Sequence, residues 1–120
     1  MSQPVDRSTA EHYLWGGDCE GWHLLKSAGL SVIEERMPPG RAEARHAHLK
    51  AQQFFYILSG VATLEVDGIE YTIGPQQGLG VAPGTPHQLF NHGPEELRFL
   101  VISSPPSHGD REPCPTTLLA

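Results

Sequence analysis

An all-β domain, a sandwich or barrel of short antiparallel strands, is the fold class this sequence predicts. Three observations predict it. The 13 glycines and 11 prolines fall as punctuation, at Pro38-Pro39-Gly40, Gly60, Asp67-Gly68, Gly74-Pro75 and Ala82-Pro83-Gly84-Thr85-Pro86. Between these marks lie short segments of alternating or wholly apolar character, as packed antiparallel strands require. Helical periodicity is absent from any window longer than about ten residues, apart from one turn expected around residues 9–14.

At 120 residues the chain suits one domain, with a polar arm over 1–12, a barrel over 13–104 and a tail over 105–120. LSVIEERM at 30–37 alternates loosely. FFYILSG at 54–60 is apolar on both faces, the pattern of a strand covered on two sides. VATLEV at 61–66 and IEYTI at 69–73 flank Asp67-Gly68, a strong hairpin signal because a type I′ turn needs positive φ at both central residues. LGVA at 79–82, HQLFN at 87–91 and LRFLVISS at 97–104 continue the series. The tail carries too many prolines for a central strand, so it wraps the barrel, helps a partner subunit or is loose.

Acidic residues outnumber basic ones, for a formal charge of −6, and Lys and Arg follow no stripe. That argues against nucleic acid and anionic membrane as partners. No basic segment followed by an apolar run opens the chain, and no apolar stretch nears membrane-spanning length, so a soluble cytoplasmic protein is expected. Cys19 and Cys114 stand near opposite ends, which fits reduced structural thiols better than a disulfide framework.

The chemistry concentrates in RHAHLKAQQF, residues 45–54. Side chains alternate along a strand, so His46 and His48 share one face about 6–7 Å apart at the backbone, a suitable bite for one ion. Gln53 falls in step with Phe55 and Ile57 on the next strand, and if that strand pairs with the first its amide oxygen faces the same ion. His87 opens a later strand, its approach fixed by Pro83, Gly84 and Pro86. His12, His23, His92 and His108 show no such partnership; Asn91 is expected to close a turn, and Phe54, Phe55, Tyr56, Phe90 and Phe99 to fill core and cavity wall rather than to catalyse.

Gly40, His46, His48, Gln53 and Gly60 together resemble the first motif of the cupin family, with glutamine where glutamate is usual. Six residues between Gln53 and Gly60 select Gln53 over Gln52. Ala82-Pro83-Gly84-Thr85-Pro86-His87 followed by Asn91 resembles the second motif, departing by Ala82 in place of a proline and Gln76 in place of a glycine. The motifs cover 40–91 and the flanking strands extend the likeness to about 30–104. The resemblance implies a double-stranded β-helix, a jelly-roll barrel with a metal in its mouth, and members of this size that are often homodimers.

Three neutral imidazoles and a neutral amide would leave a divalent ion its full charge, making it a stronger Lewis acid than a glutamate-bound one, though more weakly held. Fe, Mn, Ni and Zn all suit such donors. The donor set is also similar to that of small cupins that linearise unsaturated uronates. Asp110 and Arg111 lie in roughly the region where those enzymes carry acidic and basic side chains, but in a different order and spacing, and a surface turn or intersubunit ion pair is the alternative reading for them. The expected function is therefore a metal-dependent isomerase, ring-opening enzyme or dioxygenase acting on a small oxygen-rich, anionic molecule. Asp110, Arg111, Tyr56 and Glu35 are its candidate catalytic groups, and a non-catalytic small-molecule binding module is the alternative.

Overall fold

The computed structural model describes residues 3–115; residues 1–2 of the expected arm and 116–120 of the expected tail lie outside the described residues. Among the described residues there is no helix, and eleven strands follow one another. They are β1 (Glu11–Trp15), β2 (Cys19–Lys26), β3 (Ser31–Met37), β4 (His46–His48), β5 (Gln52–Ser59), β6 (Ala62–Val66), β7 (Ile69–Ile73), β8 (Gly78–Val81), β9 (His87–Phe90), β10 (Leu97–Ser104) and β11 (Arg111–Pro113). One sheet has the order β1-β2-β3-β10-β5-β8 and the other β11-β4-β9-β6-β7, every pairing antiparallel. Rolled around a common core, they make the expected double-stranded β-helix.

Period-two alternation decides what enters that core. Leu97, Phe99, Val101 and Ser103 of β10 point inward, and so do Gln53, Phe55 and Ile57 of β5. Met37, Ile57, Leu64, Leu89 and Leu97 are wholly buried there. The β6–β7 hairpin turns at Asp67 (φ 50°) and Gly68 (φ 87°), the positive pair a type I′ turn demands. Gly60 has φ 83°, and a Cβ there would sit 2.6 Å from the Glu96 carbonyl oxygen, so the motif glycine answers to backbone crowding. Asn91 closes its turn as expected, its amide donating to the Met37 and Glu95 carbonyls at 2.9 Å each.

Three sequence expectations change. The turn expected around 9–14 is instead a short turn over residues 7–9, closed by Thr9 and Ala10 N–H groups on the Asp6 carbonyl. Strand β1 follows immediately, because Tyr13 and Trp15 alternate with exposed His12 and Leu14 and pair in register with β2. The tail does supply a strand: β11 pairs with β4 at the sheet edge, where Pro113 is tolerated. Within this chain FFYIL is covered on one face only, since Phe55 and Ile57 are buried while Phe54 is 42% exposed.

Candidate metal centre

His46 and His48 come from β4, the second strand of its sheet, and His87 opens β9 directly opposite His46. All three are buried. Ring centroids lie 4.8 Å apart for His46–His48, 4.5 Å for His46–His87 and 6.0 Å for His48–His87. One ring nitrogen from each falls within 4.8 Å of the other two.

The outer nitrogen of each ring is already engaged. His46 Nδ1 meets the Ala44 carbonyl at 2.7 Å, His87 Nδ1 the Thr85 carbonyl at 2.9 Å, and His48 Nδ1 the Asp110 carboxylate at 2.7 Å. A carbonyl or carboxylate oxygen can only accept, so Nδ1 carries the proton in each ring and Nε2 keeps its lone pair. Burial pushes the His46 imidazole down to about 4, with the neighbouring His87, Arg111 and His48 adding to the effect and the Ala44 carbonyl opposing it. Burial lowers His87 likewise. Neutral imidazoles are the form a metal needs.

Three buried side-chain atoms among the described residues have no hydrogen-bond partner, His23 Nδ1, His87 Nε2 and Gln53 Oε1, and the last two are on residues of the candidate donor set. Leaving such atoms unpaired costs about 1–3 kcal/mol each, and an ion supplies the missing partner. The Gln53 amide is oriented by its Nε2 donating to Ser103 Oγ at 3.0 Å, which turns Oε1 away from Ser103. Three imidazole nitrogens thus fit a divalent transition metal, and Gln53 Oε1 offers the one orphaned oxygen of the same cavity wall.

His46 and His48 open onto a cavity of about 530 Å³, and His87 lies beside them off its wall. Its wall includes Gln53 and Phe55 of β5, Ile33 and Glu35 of β3, Tyr13 and Trp15 of β1, Glu43, His108 and Arg111. Tyr13 Oη donates to Glu35 Oε2 at 2.5 Å. Burial pushes the Glu35 carboxyl up to about 7, outweighing the opposing effects of the Tyr13 hydrogen bond and the Arg111 charge. Burial, with the charge of Glu35 second, raises Glu43 to about 8 although Arg111 and the Leu89 N–H pull it down. Both carboxyls therefore exchange protons near neutral pH.

The other candidates part company. Asp110 accepts from His48 and, through its second oxygen, from the backbone N–H groups of Lys50 and Ala51 at 3.0 Å each. Burial opposes its ionisation, but those hydrogen bonds outweigh it and hold the carboxyl below the usual range. It holds a histidine and does not border the cavity. Arg111 lines the cavity, its Nη2 3.3 Å from the Ala44 carbonyl. Tyr56 is turned to the outer face of β5 beside Phe54, with ring centroids 6.5 Å apart, because alternation sets it opposite to Gln53 and Phe55. It does not border the cavity. Of the remaining histidines, His12 meets Glu20 at 3.1 Å, His23 packs on Tyr13, His92 stacks on Phe90, and His108 reaches the cavity wall. Glu43, Tyr13 and Trp15 escaped the sequence reading. The inward alternation of Tyr13 and Trp15 was the signal that could have found two of them.

The fold and this cluster define a β-barrel with three histidines placed to bind a metal. Residues 33–103 match the family model described as Cupin domain, and the chain belongs to the cupin family. It is 30% identical over 91 residues to the uncharacterized protein MJ1618 of Methanocaldococcus jannaschii, a match covering 75% of this chain and 73% of that one. It is 27% identical over 124 residues to the tetracenomycin polyketide synthase protein TcmJ of Streptomyces glaucescens, covering 94% and 82%. The polyketide cyclase RemF of Streptomyces resistomycificus shares its fold at a TM-score of 0.79 and 19% identity, over 100% of this chain and 88% of that one.

Proposed function

We propose that this cupin is a metal-dependent enzyme that moves a proton next to a carbonyl group of a small oxygen-rich molecule, in an isomerisation or ring closure. The observation that carries the reading is the shared cavity: His46 and His48, grouped with His87, open onto the same space as Glu35 and Glu43, whose carboxyls titrate near neutral pH. His46, His48 and His87, with Gln53 as fourth donor, would hold the ion. When bound there, a divalent ion supplies Lewis acidity toward a carbonyl oxygen. The protein's own groups supply the rest. Glu35 and Glu43 hold and release protons, Arg111 offers the wall a positive charge, and Trp15, Ile33, Phe55 and Val101 keep part of the cavity apolar.

Arg111 and a divalent ion on four neutral donors would set positive charge against the carboxyls of Glu35 and Glu43, which suits an oxygen-rich molecule that presents a carbonyl or enolate oxygen to the ion. Likeness to TcmJ and RemF supports the same direction, since closing a ring between carbonyl-bearing carbons begins with loss of a proton beside a carbonyl. Near-neutral carboxyls favour proton transfer over oxygenation as the reaction. With both cysteines free, a cytoplasmic setting goes with this reading.

The test is to load the purified chain separately with Fe, Mn, Ni and Zn and offer each form a panel of hydroxylated ketones in D₂O. Metal-dependent deuterium incorporation beside the carbonyl, without oxygen uptake, is the expected result. Oxygen uptake on iron loading would replace it with a dioxygenase. Thermal stabilisation by ligand with no turnover under any metal would make the barrel a binding module.

A further inference from the structure

Across the larger sheet, one row of residues runs Tyr13, Gly21, Glu35 and Phe99, each paired in register with the next. The gap in that row is Gly21. A Cβ there would lie 2.1 Å from the Tyr13 ring, so the missing side chain is the space the ring occupies as it crosses β2 to reach the next strand but one. Its hydroxyl ends on Glu35 Oε2. The carboxyl so held faces the cavity onto which His46 and His48 open.

We infer that Glu35 is the residue that carries the proton, and that Tyr13, seated over Gly21, is its positioning residue. The assignment rests on the proton-transfer reading above and deepens it. Among the acidic groups first considered, Asp110 has both oxygens committed to His48, Lys50 and Ala51, whereas Glu35 has one oxygen on Tyr13 and, among the described residues, no hydrogen-bond partner on the other. In the step, a Glu35 carboxylate oxygen takes a proton from the carbon beside the carbonyl. The C–H electron pair becomes a C=C bond and the carbonyl pair moves to oxygen. The Glu35 O–H then returns a proton to the same carbon or to its neighbour, so no oxidant or reductant is consumed.

The groups that face Glu35 or its partner are Tyr13 on β1, His23 on β2, Glu43, and Arg111 on β11, with His108 on the same wall. Because the Tyr13 hydroxyl donates to the charged carboxylate, its removal raises the Glu35 titration.

The experiment uses the full chain loaded with zinc or nickel, and 2′-hydroxyacetophenone as probe, reading exchange of its methyl protons in D₂O. Glu35→Gln is expected to keep its metal and lose exchange by about a hundredfold or more, the lower end of what general acid–base catalysis supplies. Tyr13→Phe is expected to keep its metal while the midpoint of its pH profile moves upward, so that exchange falls below that midpoint and recovers above it. A ¹³C titration of the Glu35 carboxyl in the metal-free chain should move the same way, as should Gly21→Ala, which displaces the ring. If Glu35→Gln exchanges like wild type, or loses its metal, the assignment falls while the proton-transfer reading stands. An unmoved Glu35 titration in Tyr13→Phe overturns the positioning role. Absence of exchange by the wild type under either metal takes down the reading and the assignment together.

Discussion

His46 has its Nδ1–H on the Ala44 carbonyl and its ring buried beside two other imidazoles, so a proton taken up there would bury a charge. Its titration sits near 4 in the folded chain against an ordinary 6.5. A depressed histidine adds stability that is fully present above its ordinary value and is lost as pH falls through the folded one. The melting temperature of the metal-free wild type should therefore fall more steeply between pH 6.5 and about 4 than that of His46→Gln. Parallel curves would contradict it. Glu35 has the opposite sign: its titration is raised from 4.5 to about 7, so its contribution is complete below pH 4.5 and fades as pH rises through 7. Glu35→Gln should accordingly melt higher than wild type at pH 9 and close to it at pH 5, and a lower melting temperature at pH 9 would contradict that. A group placed for proton transfer then costs the fold something at alkaline pH.

At the scale of elements, the segment leading into β11 does more than cover an edge. Asp110 clamps His48 Nδ1 and the backbone of Lys50 and Ala51, tying the segment before β11 to the turn that joins the strands bearing His48 and Gln53. Second partners of this kind fix the ring and its tautomer, and their loss costs about 10–100-fold in metal affinity. Asp110→Asn should weaken zinc binding by that factor in a chelator competition with the overall fold retained; unchanged affinity would contradict the clamp. The strands around the site were legible because the signals are local, as with Asp67-Gly68 for the hairpin and Pro86-His87 for the start of β9. The role of Asp110 was not, because 62 positions separate it from His48 and only the β11–β4 pairing brings them together.

For the whole molecule, the balance between legible and hidden follows sequence separation. His46 and His48 could be paired from alternation alone, whereas the Tyr13–Gly21–Glu35 row depends on the register of three strands. A glycine that makes room for a ring leaves no mark distinguishing it from a glycine that turns a corner. Tyr56 misled for the related reason that FFYIL is apolar on both faces, so its inward set is fixed only by Gln53 and the core. The outer set, Phe54 and Tyr56 with Leu100 and Ile102 paired beside them, forms an apolar patch on the large sheet. We propose that a second copy covers it. Light scattering should give twice 13.1 kDa for the wild type and 13.1 kDa for Phe54→Glu, and a monomeric wild type would contradict this.

His46, His48 and His87 are placed to hold a transition metal, and in the function proposed above Gln53 would be a weaker fourth donor. Elemental analysis after loading and desalting, on wild type beside His87→Ala and Gln53→Ala, tests it most directly. Close to one ion per chain in the wild type, little in His87→Ala and an intermediate amount in Gln53→Ala is the predicted result. A wild type that retains no metal after loading, or a His87→Ala chain that retains as much as wild type, would contradict it.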